Sequence, residues 1–452
     1  MIDDSTSNRP TDRQAAPDAA APEESRLPRP SPVSVATDIS DSLRTPRSAY
    51  WILTAILLLF AVVSTVGITW GLPSRRIDHY LFADGAPWSG EKIYRLAHAD
   101  EKFGGDRGAD VDADPIQKNA DQPVLLTGTD EDIAKIYLRY RLYTHQPDEM
   151  ITMMALAGMR PSRLDFDPKL YQYGGLFIYP VGALIRLCGY AGLIDVRGDV
   201  VFYLDNPDEF GKFYVVARAY SAMWGLVGVV VVFAIARRLK DAKSGLLAAL
   251  LFTLMPVVVC MAHEGKPHLP GAVLMLAAVL FAMRHLSAHA TASALPRAAG
   301  FSPRDGSDAR GAADVSPRRQ EPSVQRDWWL MCVCCGAALG MVLSSWPIFV
   351  LIPLVAWLDE RGRGIHARKH LPFSHAGSTA LGDASRDEKL HESKPATYIR
   401  WSSMMTRTTG GAAVGLFVYL VANPYILINA VSNRGLLASN FGNSLAMYQI
   451  SR

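Results

Sequence analysis

Two adjacent carboxylates, Asp148 and Glu149, stand in the stretch THQPDEMITMMALAG, residues 144–158, behind a proline and ahead of an apolar run. A carboxylate beside a cleft can accept the proton of an attacking hydroxyl group or bind a metal ion. A structural interpretation is also available. Pro147 ends any preceding helix, so Asp148 can cap the next helix and Glu149 can carry a favourable first-turn charge. This stretch alone leaves both interpretations open.

Polar side chains also stand beside apolar runs in three other segments, which are RPSRLDFDPKLYQYGGLFIYP at 160–180, AHEGKPHLPG at 262–271 and NPYILINAVSNRG at 423–435. Cations in such segments can stabilise negative charge that develops during a reaction. The same residue types have ordinary roles, because a lysine can anchor the end of a span, a histidine can lie at the interface and Arg434 can cap the last helix. The candidate substrate-binding residues are Tyr173, His263, Glu264, Lys266, His268 and Arg434.

Composition indicates a membrane protein with sizeable polar loops. Of the 452 residues, 49% are hydrophobic and 20% are charged, and the hydrophobic residues are clustered along the chain. The net charge of +3 is near neutral for this length, so no nucleic-acid partner is indicated. The five cysteines lie in apolar runs, which favours small buried residues over zinc ligands.

The apolar runs predict the membrane-spanning helices. Residues 50–72 are uncharged and long enough to cross about 30 Å of hydrocarbon. Residues 1–49 are rich in Pro, Ser, Asp, Ala and Arg, a composition typical of a disordered tail. Further transmembrane helices are predicted at 214–236, 244–262, 269–286, 327–343, 345–358 and 409–429. The predicted class is an all-α polytopic membrane protein.

Lysine and arginine in the flanking segments set the predicted orientation, because cationic residues are retained on the cytoplasmic side. These residues are concentrated in the tail 1–49, the turn at 237–243 and the loops 287–326 and 359–408. All four segments can be cytoplasmic only if the apolar run at 171–192 is a re-entrant or juxtamembrane element. The alternative is a full span there, which would place the later basic loops outside.

With this orientation, residues 73–213 form a large extracytoplasmic loop domain. It is far longer than a connection needs, and loops of that length are usually functional. Arg218 stands near the same membrane edge and can pair with Asp165 or Asp208. The chain stops at Arg452 after a polar stretch with no closing helix, which is what a C-terminally incomplete fragment would show.

The order of these motifs resembles the GT-C glycosyltransferases, and among them the protein mannosyltransferase and aminoarabinose transferase type. The matching residues are Pro147-Asp148-Glu149, Tyr173-Gly174-Gly175, Arg218-Ala219-Tyr220-Ser221-Ala222, Ala236-Arg237-Arg238-Leu239, Pro256, His263 to Pro267, and Asn423-Pro424-Tyr425. The similarity covers about residues 50–72 and 144–435.

The resemblance implies a GT-C-like helical bundle in the cytoplasmic membrane, with its active site on the extracytoplasmic face. The donor would be a polyprenyl-phosphate-linked sugar among the membrane lipids, and the acceptor is unknown. Asp148 would act as catalytic base or metal ligand, with Glu149 beside it. A divalent metal ion, if used, would be held by Asp148 and Glu264. Relatives often carry a second acidic residue where this chain has His268, which leaves Glu264 as the nearby carboxylate.

Three hypotheses follow. The leading one is a membrane glycosyltransferase that moves a sugar from a polyprenyl phosphate to an extracytoplasmic acceptor. The second is a lipid-sugar binding or assembly protein without catalysis, suggested by His268 and by the end of the chain. A transporter would carry charges near the middle of the bilayer or paired inverted repeats, and the sequence shows neither.

Overall fold

A computed structural model describes residues 46–82, 85–99, 128–294, 321–369, 400–440 and 442. Within these ranges the chain is helical and has no strand, only isolated bridges between Arg160 and Asp165 and between Tyr173 and Val342. The predicted all-α class is therefore confirmed. Almost all of the predicted tail 1–49 lies outside the described residues, as do the central parts of the loops 287–326 and 359–408.

The α-helices are numbered in chain order. They are α1 (Arg47–Thr65), α2 (Asp78–Leu81), α3 (Gly90–Ala97), α4 (Asp130–Leu142), α5 (Glu149–Gly158), α6 (Gly175–Tyr190), α7 (Val200–Asp205), α8 (Pro207–Leu239), α9 (Ala242–Leu254), α10 (Pro256–Ala262), α11 (His268–Ala294), α12 (Glu321–Met341), α13 (Leu351–Lys369), α14 (Trp401–Ala422) and α15 (Pro424–Ser432). Short 3-10 helices lie at Arg75–Ile77, Pro161–Arg163 and Leu343–Val350.

Four helical stretches in the described residues are long and apolar enough to cross a membrane: Arg47–Thr65, Pro207–Leu239, His268–Ala288 and Leu343–Gly362. The pairs α9/α10 and α14/α15 are bent by 60° and 80°, and counting each pair as one span gives six. The chain is thus a polytopic membrane protein. Helix α12, which contains most of the predicted span 327–343, is not among the six. Its first turns carry charged residues that lower its hydropathy.

The first helix is shorter than predicted. Residues 50–72 were expected to be one span, but α1 ends at Thr65, where Val66 adopts an extended conformation. Gly67 and Gly71 follow with φ of +84° and +68°, so the chain turns repeatedly before reaching Pro73. In this turn, backbone carbonyl oxygens that would accept amide hydrogen bonds in a continuous helix are free to accept from other groups.

The apolar run at 171–192, predicted to be re-entrant, contains α6, a 16-residue helix too short to count as a span. It begins where Gly174 donates a backbone hydrogen bond to the Met341 carbonyl oxygen at 2.8 Å. A Cβ atom on Gly174 would lie 1.8 Å from the Gly340 carbonyl oxygen, which only glycine avoids. Helix α12 ends at this contact, at Met341, two residues before the predicted end of the span 327–343.

The described parts of the segment between α1 and α8 pack into the helical bundle. Its buried side chains Ile93, Leu142 and Leu204 form one hydrophobic cluster with Phe177 of α6 and Tyr214 of α8. Each such side chain contributes roughly 1.5–3 kcal/mol on burial. Helix α8 in turn packs against α1, α9 and α11.

Candidate functional site

A buried ion pair joins Glu149 to Arg218. The Arg218 Nε donates to Glu149 Oε1 at 2.8 Å, and Nη2 donates to Oε2 at 2.7 Å. The Glu149 carboxylate is fully buried, and it also accepts from the Gly265 amide at 2.6 Å and from the Thr144 hydroxyl at 2.7 Å. Four donors therefore satisfy both oxygens, which is how a buried charge becomes tolerable.

The Arg218 guanidinium also binds the turn after α1. Its Nη1 donates to the carbonyl oxygens of Ile68 and Trp70, at 2.6 and 2.8 Å. Arg218 therefore pairs with Glu149 and not with Asp165 or Asp208, because α8 presents it beneath the start of α5. One side chain thus links α1, α5 and α8. Glu149 lies in this structural link, which leaves its neighbour as the more accessible acid.

Asp148 immediately precedes α5, but it does not cap the helix. Its side chain makes no capping hydrogen bond, and instead Oδ2 accepts from the Lys266 Nζ at 3.0 Å. The side chain is 51% exposed, in contrast to the buried Glu149. Asp148 therefore occupies the N-cap position of α5 without a capping hydrogen bond, and its carboxylate is accessible to a molecule arriving from solvent.

Lys266 is buried and also contacts Glu264. Its Nζ lies 3.2 Å from Glu264 Oε2, and Glu264 Oε1 accepts from the Gln146 side-chain amide at 2.8 Å. Gln146 is two residues before Asp148, so the stretch 144–149 and the loop 262–268 meet at this point. Gln146 and Thr144 could not be predicted from sequence, because neutral side chains beside an acidic pair have no distinguishing pattern.

Tyr173 and His268 flank this group. Their rings meet edge to face, with centroids 5.8 Å apart. Burial raises the pKa of the Tyr173 phenol, and the carboxylates of Asp148, Glu264 and Glu149 raise that pKa further. The phenol is therefore protonated across the physiological range and can donate a hydrogen bond.

Two of the expected binding residues lie elsewhere. His263 places Nδ1 2.8 Å from the Val259 carbonyl oxygen and Nε2 2.8 Å from that of Val66, so its ring faces the backbone of α10 and the residue after α1. Arg434 donates from Nε to the Ala430 carbonyl oxygen at 2.9 Å, just beyond the end of α15. The structure brings neither side chain into contact with Asp148 or Lys266.

The Asn-Pro-Tyr motif has a positioning role in this fold. The Asn423 Oδ1 accepts from the Gly175 amide at 2.8 Å, and the Tyr425 hydroxyl accepts from the Phe166 amide at 2.8 Å. Helices α14 and α15 thereby hold the segment that carries Tyr173. Sequence alone could not show this link, because its partners are about 250 residues apart.

The residues expected to hold a metal ion, Asp148 and Glu264, do lie together, and both contact the Lys266 ammonium group. Across the described ranges, no three His, Cys, Asp or Glu side chains are placed so that they could hold a metal. The site therefore consists of an accessible carboxylate, a second carboxylate and a shared buried cation. Such a group can accept a proton and stabilise a neighbouring anion.

Comparison with known proteins identifies one family. Residues 210–300 match the family model described as dolichyl-phosphate-mannose-protein mannosyltransferase. The match covers about a fifth of the chain and includes Arg218, Glu264 and Lys266, but neither Asp148 nor Glu149. No curated protein and no solved structure gives a significant match. In this region the chain is similar to a family of membrane glycosyltransferases that use polyprenyl-phosphate sugar donors.

Proposed function

We propose that this protein is a membrane glycosyltransferase that moves a sugar from a polyprenyl-phosphate donor to a hydroxyl group of an extracytoplasmic acceptor. The observation that carries the proposal is the half-exposed Asp148 carboxylate, held by Lys266 at the membrane end of the bundle. The family match supports the donor class, because the description of the matched family names a polyprenyl-phosphate sugar, dolichyl-phosphate mannose. Its description names mannose, so a mannosyl donor is the first to test.

Each residue has a role in this reaction. Asp148 accepts the proton of the acceptor hydroxyl as the new bond to the anomeric carbon forms and the bond to the phosphate oxygen breaks. The bonding electrons leave with the lipid phosphate. Lys266 stabilises that phosphate, which gathers negative charge in the transition state. The Tyr173 phenol can donate a hydrogen bond to a bound substrate. The Glu149–Arg218 pair positions the neighbouring Asp148.

The test is transfer from a radiolabelled polyprenyl-phosphate mannose in membranes that contain the Asp148→Asn variant. Loss of a general base lowers the rate by about a hundredfold or more. Asp195→Asn is the matched control, because Asp195 is also a half-exposed carboxylate in an ion pair, with Arg197, and contacts no residue of the site. Unchanged transfer by Asp148→Asn would show that the assignment is wrong.

The binding or assembly hypothesis makes a different prediction. A wild-type protein that retains the labelled donor but never transfers its sugar, to any acceptor supplied by the native membranes, would favour that hypothesis. Turnover by the wild-type protein would exclude it.

A further inference from the structure

The Lys266 ammonium group lies between two carboxylates. Its Nζ is 3.0 Å from Asp148 Oδ2 and 3.2 Å from Glu264 Oε2. Two carboxylates that face one cation are a common way for enzymes acting on phosphates to hold a divalent metal ion. In this protein an amino group of the chain occupies the position between them.

Lys266 is built firmly into the fold. The Lys266 carbonyl oxygen accepts from the Ser221 hydroxyl at 3.1 Å, and its amide donates to the Glu264 carbonyl oxygen at 2.8 Å. The preceding Gly265 is fixed by its hydrogen bond to Glu149. The backbone that carries Lys266 is therefore held in place. Moving its buried ammonium group away from the two carboxylates would leave an unpaired charge, which is strongly unfavourable.

Charge opposes a metal ion at this point. A divalent cation between Asp148 and Glu264 would lie close to the Lys266 ammonium group, and the two positive charges would repel each other in a partly buried site. Removing that ammonium group would leave two carboxylates, which together with water can hold a divalent ion.

We infer that Lys266 supplies the bridging positive charge of this site in place of a divalent metal ion, so that sugar transfer needs no metal. The statement about transfer rests on the proposed function. The statement about metal binding does not, since it concerns only which cation the two carboxylates hold. The experiments below separate the two statements.

Metal binding is measured first, on the full chain purified in detergent, by Mn²⁺ electron paramagnetic resonance and by the thermal unfolding midpoint. We expect Mn²⁺ to leave the wild-type midpoint unchanged. Lys266→Met keeps the apolar stem but frees both carboxylates, so this variant should bind Mn²⁺ and gain several degrees in its midpoint. Adding Asp148→Asn to Lys266→Met should abolish that gain.

Two results would overturn the inference. One is Mn²⁺ bound to the wild-type protein and lost in Asp148→Asn; the other is a folded Lys266→Met variant that binds no Mn²⁺. If Lys266→Met does not fold, the wild-type protein still provides the test through turnover of the labelled donor after chelation. Turnover that survives the chelator supports the inference, and turnover that is lost and then restored by Mg²⁺ or Mn²⁺ refutes it.

Failure of the proposed function looks different. A protein without transferase activity would show no turnover under any metal condition, yet its Mn²⁺ binding would still follow Lys266 and Asp148 as described.

Discussion

Replacing Glu149 with glutamine should destabilise the protein strongly, although the two side chains have the same shape. Each Glu149 oxygen accepts from two donors: Oε1 from Arg218 and Gly265, and Oε2 from Arg218 and Thr144. A glutamine NH₂ group must face one of these pairs, whichever way the amide is turned. Donors then oppose donors, and the buried Arg218 charge has lost its counter-charge.

The magnitude follows from burial. Both side chains are at most 5% exposed, so solvent cannot replace the lost interaction. Removing one partner of a buried ion pair costs about 3–5 kcal/mol of unfolding free energy. This is a large part of the roughly 5–15 kcal/mol that stabilises a typical folded domain. Arg218→Met should cost a similar amount, because it also leaves the Ile68 and Trp70 carbonyl oxygens without their donor.

The assay is unfolding of the purified protein in detergent, followed by tryptophan fluorescence. The control is Asp195→Asn, which breaks an exposed ion pair and should change the unfolding free energy little. Glu149→Met combined with Arg218→Met should be less destabilising than the sum of the single variants by at least about 1 kcal/mol. If Glu149→Gln proves as stable as Asp195→Asn, the buried pair does not hold these elements together.

Three further predictions concern pH, a buried hydrogen bond and topology. The pKa of Tyr173 in the folded protein is raised above its ordinary value of 10.0, so the contribution of this group to stability is complete below pH 10.0 and is lost as the pH rises through the folded pKa. The unfolding free energy should therefore fall in alkali. The fall should be less steep in Tyr173→Phe. Asn423→Ala leaves the Gly175 amide unpaired and should lower the unfolding free energy by about 1–3 kcal/mol in the same assay. In intact cells, with the native cysteines replaced, an impermeant thiol reagent should label Gly198→Cys but not Lys240→Cys. The opposite pattern would invert the proposed orientation.

Much of the fold could be predicted from local sequence. The apolar runs predicted the all-α membrane class. The spans 244–262 and 409–429 were each predicted as one helix, but the structure breaks them before Pro256 and Pro424, where α10 and α15 begin. Such features depend on each residue's own conformational preference and on neighbours within a turn or two. The early end of α1 was less predictable, because its apolar run continues past Thr65. The backbone nevertheless leaves the helix there, and the Ile68 carbonyl oxygen accepts a hydrogen bond from Arg218.

The residues that could do chemistry were predictable from the amino-acid order, because an acidic pair after a proline and a charged loop beside a span are visible in the chain. Their separate roles depend on how the helices pack. The tertiary structure buried Glu149 against Arg218, 69 residues away, and left Asp148 accessible beside Lys266, 118 residues away. Adjacent carboxylates look alike in sequence, but packing of distant helices determines which one is enclosed and neutralised and which one meets solvent.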